Sequence, residues 1–176
     1  MMLKKIMDIV VNVFLIIVVL FLIYVNVMYY IYDQVVLAVV KGVSMYPLLR
    51  ENDIVVIIPP KDIELGNVIV FKNDRNEFVI HRVIAIATCS DGGMVYVTKG
   101  DNNVYVDSHI LSGVAYMTSR ECRVDDLRIL KGYEAYVKSV MQGDVIRGIP
   151  MDRVVGKALS ISNMIVKITG LTPLRY

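Results

Sequence analysis

Histidine and cysteine are nearly missing from this chain, with two of each among 176 residues. Histidine-dependent chemistry is therefore confined to His81 or His109. Cys89, Cys122 and the two histidines supply four ligands in number, but none has a partner at zinc-ligand spacing, so no metal and no cofactor is expected. Runs of lysine and arginine are also missing. With 19 basic against 17 acidic residues the net charge is +2, and nothing points to nucleic acid. No internal repeat or low-complexity tract is visible. Charge itself vanishes over the 24 residues Ile9 to Tyr32, IVVNVFLIIVVLFLIYVNVMYYIY, enough helix to cross a hydrocarbon core of about 30 Å at about 1.5 Å per residue.

That run is longer than the h-region of a cleaved signal peptide and ends in Tyr29, Tyr30, Ile31 and Tyr32 instead of a small-residue cleavage site. Tyrosines suit the membrane interface, where ring and hydroxyl each find their medium. A retained anchor is expected over residues 9–32, behind a short segment 1–8. Lys4, Lys5 and the α-amino group outweigh Asp8, whereas Asp33 is the first charge beyond the run. This predicts a single-pass protein with its N-terminus cytosolic and residues 33–176 outside the cytoplasm. Cys89 and Cys122 are compatible with one disulfide there, or with two free thiols.

Beyond the anchor the sequence reads as mostly strand. The segments 34–43, 53–58, 67–71, 77–88 and 94–100 are rich in Val, Ile and Tyr and are separated by Pro, Gly, Asn and Asp. Short strands at this spacing predict a small open or partly closed barrel. Residues 124–141 read as one or two helices, with Asp125 as a possible cap and Gly132 as an interruption. The tail from Val154 to Leu171 is apolar but broken by Lys157, Lys167 and two glycines, which argues against a second span.

Ser44 lies in GVSMYPLLRENDIVVI, between a glycine-containing approach and a Met-Tyr-Pro turn. A serine hydroxyl is a poor nucleophile at neutral pH without a base. His81 lies in the strand-like IHRVIAI, which the turn SDGG joins to a second strand. Folding about Asp91 and Gly92 brings together residues whose numbers sum to about 182–184, placing His81 opposite Asp101 or its neighbours. Alternation puts His81 on the face of Val79 and Val83. The following segment TKGDNNVYVD carries Asp101 and Asp107, either of which could accept the imidazole N–H. Taken singly, a serine before a turn, a histidine in a strand and a GDNN loop are ordinary structural features. Their joint occurrence is what points to chemistry.

In order along the chain, G-x-S-M-x-P at 42–47, N-D-I-V-V at 52–56, N-V-I-V-F at 67–71, I-H-R-V-I at 80–84 and T-K-G-D-N-N at 98–103 resemble the boxes of type I signal peptidases, family S26. Histidine in place of lysine resembles the archaeal and endoplasmic-reticulum branch. G-K at 156–157 resembles the last box. The resemblance implies a mainly β, LexA-like open barrel and a Ser-His-Asp endopeptidase. Ser44 would be the acylated nucleophile, His81 the general base, Asp107 the third triad member and Asp101 a supporting carboxylate. It also implies that the Ser44 backbone N–H donates to the oxyanion, with Gly42 and Met45 flanking it as oxyanion and substrate-binding positions. Gly42 stands where relatives often carry serine, Asn52 where glycine and Asn67 where aspartate is usual. Residues 108–148 exceed the family's usual link, so 110–148 reads as a divergent insertion.

Only the 11 residues Asp33 to Val43 separate the apolar run from Ser44, which keeps the serine within about 40 Å of the membrane exit. This suits preproteins whose signal segment still lies in lipid, in a cell membrane or a reticulum membrane, with translocon or accessory subunits as possible partners. Tyr46, Leu48 and Leu49 would be core or a lipid-touching surface. The run Val35 to Val40 could offer an edge to which a substrate strand adds, with shallow pockets selecting small residues. A self-cleaving LexA-like repressor is disfavoured by the absence of lysine at the base position and of an Ala-Gly dipeptide. The alternative of another class is a non-catalytic tethered β-domain that binds peptides or scaffolds a translocation complex. A serine-directed acylating probe separates it from an enzyme.

Overall fold

The computed structural model describes residues 2–32, 34–162 and 164–170. Asp33 and Leu171, named above as the first charge after the anchor and the end of the tail, lie outside the described residues. The chain divides into two units, Met1–Val36 and Leu37–Tyr176.

The first unit is the helix α1, Met2–Tyr32. Its stretch Lys4–Tyr32 is long and apolar enough to cross a membrane by length and composition. The one polar amide in its second half, Asn26, donates to the Leu22 carbonyl at 2.8 Å, which satisfies one of its N–H groups within the helix.

The second unit is mainly β. Its strands are β1 (Leu37–Val39), β2 (Ile54–Ile58), β3 (Val68–Lys72), β4 (Phe78–Cys89), β5 (Met94–Lys99) and β6 (Arg120–Ile129), followed by the short helix α2 (Glu134–Lys138). Then come β7 (Met141–Gln142), β8 (Val145–Pro150), a 3-10 turn, β9 (Val154–Ala158), β10 (Ser160–Ile161), β11 (Met164–Ile165) and β12 (Lys167–Ile168). The main sheet runs β1-β2-β9-β3-β4-β5-β8-β6, and β6 pairs also with β4. The sheet thus curls back on itself at one end and stays open at β1. Strand β3 is buried along Val68–Phe71, as expected of a central strand covered on both faces.

Much of the core lies in two apolar clusters of the described residues. Val83, Ile86, Ile69, Phe71 and Ile149 belong to one; Ile84, Ala85, Val97, Val137 and Ile146 belong to the other. A bulge between Val83 and Ala85 explains why Ile84 and Ala85 enter the same cluster although adjacent in sequence. The second cluster includes Cys89 and Cys122, which are joined as a disulfide.

Residues 124–130 are not helical, contrary to the reading from sequence. Residues 124–129 belong to β6, and Asp125 caps no helix there; helix begins only after Gly132, at α2. In the β4–β6 ladder Thr88 faces Asp126 while Cys89 faces Val124, so Asp125 is an extra, bulged residue. The apolar side chains packing inward, Val124 and Leu127, are therefore three apart, a helical spacing produced by a β-bulge. The tail forms β9 to β12 instead of a span. Leu49 is core and fully buried, while Tyr46 remains half-exposed.

Candidate active site

Ser44 sits in the turn between β1 and β2, held from the far side by the loop after β5. The Asn102 N–H donates to the Ser44 carbonyl at 2.8 Å. Gly100 passes so close that a Cβ there would lie 2.7 Å from the same oxygen. Only glycine permits that approach. The turn's other side is fastened by Asp53, whose Oδ2 accepts the Arg50 N–H at 2.9 Å and the Lys167 ammonium at 2.8 Å. That ammonium also donates to the Leu48 carbonyl at 2.6 Å. Asn52 takes a positive φ of 68°, a conformation asparagine tolerates where glycine would otherwise be favoured. Asn67 accepts the Glu64 N–H at 3.0 Å through its side-chain oxygen, a bond that an aspartate oxygen would accept equally well.

His81 lies in β4, buried to 3% exposure. Its Nε2 is 2.9 Å from Ser44 Oγ and its Nδ1 is 2.7 Å from Asp107 Oδ2. Asp107 is fully buried. Thr98 fixes it twice, donating from Oγ1 to Oδ2 at 2.6 Å and accepting the Asp107 N–H on its carbonyl at 2.9 Å. Because the carboxylate accepts Nδ1–H, Nε2 is left with its lone pair toward the serine hydroxyl. The chemistry this permits is proton removal from Ser44, with the positive charge that develops on the ring facing a buried carboxylate.

Asp101 does not reach His81. The hairpin pairs Ala85 with Val97, a sum of 182, but the bulge at Ile84 lowers the sum to 181 at Arg82 and Lys99. Asp101 instead accepts two hydrogen bonds from Arg82, both 2.7 Å. These bonds raise the Arg82 pKa against the opposing effect of burial. Asp107, six residues on, returns to His81. Sequence reasoning gave no role to Thr98, Gly100, Arg82 or Asn102. Three of them stand in the TKGDNN box, but that they touch Asp107 and the serine turn follows only from how the loop folds back. Lys99, in the same box, is buried; desolvation lowers its pKa, against the fields of Asp101 and Asp107. Its ammonium donates to the Gly100 carbonyl at 3.0 Å. Of the remaining predicted positions, the Met45 side chain is core at 1% exposure and Gly42 takes a φ of 79°.

Ser44 and His81 open into a groove of about 710 Å³ whose walls include Ala38, Val39, Val79 and Ile80. Strand β1 stands at the end of the sheet order with β2 as its partner. On the opposite wall, β4 pairs with β3 over Phe78–Arg82 and with β5 only from Arg82 onward. Two lengths of extended backbone thus flank the groove, each ladder-bonded on one side among the described residues.

A curled β-domain with a hydrogen-bonded serine, histidine and aspartate on an apolar groove has the form of a peptidase. Residues 22–113, just over half of the chain, match the Peptidase S24-like family, and the chain belongs to it. It is 32% identical over 99 residues to the signal peptidase complex catalytic subunit SEC11 of Yarrowia lipolytica, covering 55% of this chain and 56% of that protein. To the protein of the same name from Plasmodium falciparum it is 28% identical over 106 residues, covering 60% of this chain and 55% of that one. The chain therefore spans about half the length of these relatives. The motif resemblance to the endoplasmic-reticulum branch agrees with them.

Proposed function

We propose that this chain is a membrane-anchored serine endopeptidase that removes N-terminal signal peptides from exported and membrane preproteins, cutting after small residues. The observation that carries the reading is the relay Ser44 Oγ to His81 Nε2 and His81 Nδ1 to Asp107, at 2.9 and 2.7 Å, opening on the groove. The SEC11 relatives supply the substrate class, and their description as subunits of a complex motivates accessory partners here.

In this mechanism Ser44 Oγ attacks the scissile carbonyl carbon while His81 Nε2 takes its proton. The Ser44 backbone N–H stabilises the oxyanion, and Asp107 stabilises the imidazolium. His81 then gives the proton to the leaving amine, and water, activated by the same histidine, releases the acyl group from Ser44. A substrate strand adds to the edge of β1, so that backbone pairing supplies affinity without regard to sequence and the shallow walls at Ala38 and Val79 admit small side chains. Detergent-solubilised protein incubated with a preprotein is expected to yield the mature chain. Ser44→Ala is expected to yield none, and a cleaving Ser44→Ala would end this reading.

A further inference from the structure

The approach to Ser44 has little packing of its own. Gly42 has a φ of 79° with nothing within 4 Å of where a Cβ would stand, and Val43 is 63% exposed. Within the turn the Val43 carbonyl accepts the Tyr46 N–H at 3.1 Å, and the hold from outside the turn is Asn102. Its N–H donates to the Ser44 carbonyl at 2.8 Å, and its side-chain Nδ2 donates to the Val43 carbonyl at 3.2 Å. One residue thus grips two successive carbonyls.

The second contact has a stereochemical consequence. The Val43–Ser44 peptide is a planar trans unit, so its C=O and its N–H point in opposite directions. Fixing the Val43 carbonyl fixes the direction of the Ser44 N–H. Without that bond the Val43 carbonyl keeps only the Tyr46 N–H, at 3.1 Å, and correlated rotation about Val43 ψ and Ser44 φ against that single contact turns the N–H away while leaving the Ser44 side chain near His81. We propose that Asn102 is a positioning residue for the oxyanion site: its side-chain amide holds the Val43–Ser44 peptide so that the Ser44 N–H faces the scissile carbonyl oxygen. This rests on the reading of Ser44 as nucleophile and of its N–H as oxyanion donor. It also accounts for how a single backbone donor is kept in place where Gly42 contributes no hydroxyl.

Because the oxyanion exists in the transition state and not in the bound substrate, loss of the amide belongs in kcat and not in KM. Asn102 is exposed, so its replacement leaves the core intact. The test uses the full chain in detergent with a peptide spanning a cleavage site, comparing wild type, Ser44→Ala, Asn102→Ala and the isosteric Asn102→Asp. Aspartate keeps the backbone N–H but offers the Val43 carbonyl no donor. Both Asn102 variants are expected to lose about 10- to 100-fold in kcat, less than the roughly 10²–10³-fold of deleting an oxyanion donor outright, with KM within about twofold.

A peptide aldehyde, whose adduct with serine places an oxygen where the oxyanion forms, is expected to lose affinity by the same factor as kcat. Substrate affinity measured in Ser44→Ala should be unchanged by adding Asn102→Ala. If Ser44→Ala cleaves, the underlying functional reading fails. If Ser44→Ala is inactive while both Asn102 variants keep wild-type kcat, the positioning role fails and the functional reading stands. A loss confined to KM, or one matched by a fall in unfolding temperature, overturns the positioning role equally.

Discussion

At the scale of single residues, Asp107 and Asp101 separate two roles that GDNNVYVD cannot distinguish by composition. Both are acidic and both follow β5, yet one is fully buried against His81 and Thr98 while the other forks onto Arg82. Asp107→Asn presents an N–H to the imidazole and favours the wrong tautomer, so kcat is expected to fall by about 10³–10⁴-fold. Asp101→Asn leaves the tautomer untouched and should lose far less; steady-state rates on one peptide decide between them. A normal Asp107→Asn beside an inactive Asp101→Asn would reverse the assignment. Ser44 and His81 act as one unit, so Ser44→Ala, His81→Ala and the double variant are expected to be about equally inactive. Additive losses would show that they act separately.

At the scale of elements, the tail strand β12 is coupled to the serine turn through Asp53 and Lys167. Burial alone pushes the Asp53 carboxyl up, but the Arg50 N–H and the Lys167 ammonium outweigh it and hold the carboxyl below its ordinary value. A carboxyl held low in the folded state contributes stability that is complete above its unfolded pKa, about 3.9, and is lost as pH falls through the lower folded value. Asp53→Asn is therefore expected to cost about 1–3 kcal/mol near neutral pH. Its deficit against wild type should shrink below roughly pH 4, as read from urea midpoints across pH. A deficit independent of pH would mean that the charge is not what holds the turn.

The same scale shows what could be read in advance. Strands β2 to β5 were legible because runs rich in Val, Ile and Tyr stand between Pro, Gly, Asn and Asp, and the SDGG turn placed the hairpin correctly. Two bulges hid the rest. The one at Ile84 shifted the register by a residue and turned Asp101 toward Arg82; the one at Asp125 gave β6 an apolar spacing of three. Bulges are set by how neighbouring strands pack, which no local window of sequence contains. The boxes, by contrast, were legible because several short motifs stood in order.

At the scale of the whole molecule, the disulfide and the anchor make related claims. Cys89 closes β4 and Cys122 is the third residue of β6, a separation of 33 residues, and bridging a loop of that length restricts the unfolded chain by about 2–4 kcal/mol. Both sulfurs belong to the cluster of Ile84, Val97 and Ile146, whereas Val79 and Val83, which flank His81 in β4, belong to the other. Replacing both cysteines by serine is thus expected to lower the unfolding free energy by that amount while leaving kcat/KM of the folded protein within about twofold. Disulfides persist on the oxidising side of a membrane, the side on which Lys4 and Lys5 before the apolar run would leave residues 33–176. In cells lysed under acid to trap thiols, a maleimide polymer should label wild type only after reduction, and Cys89→Ser at once through Cys122. Labelling of wild type without reductant would put the domain on the reducing side and overturn the orientation read from those two lysines.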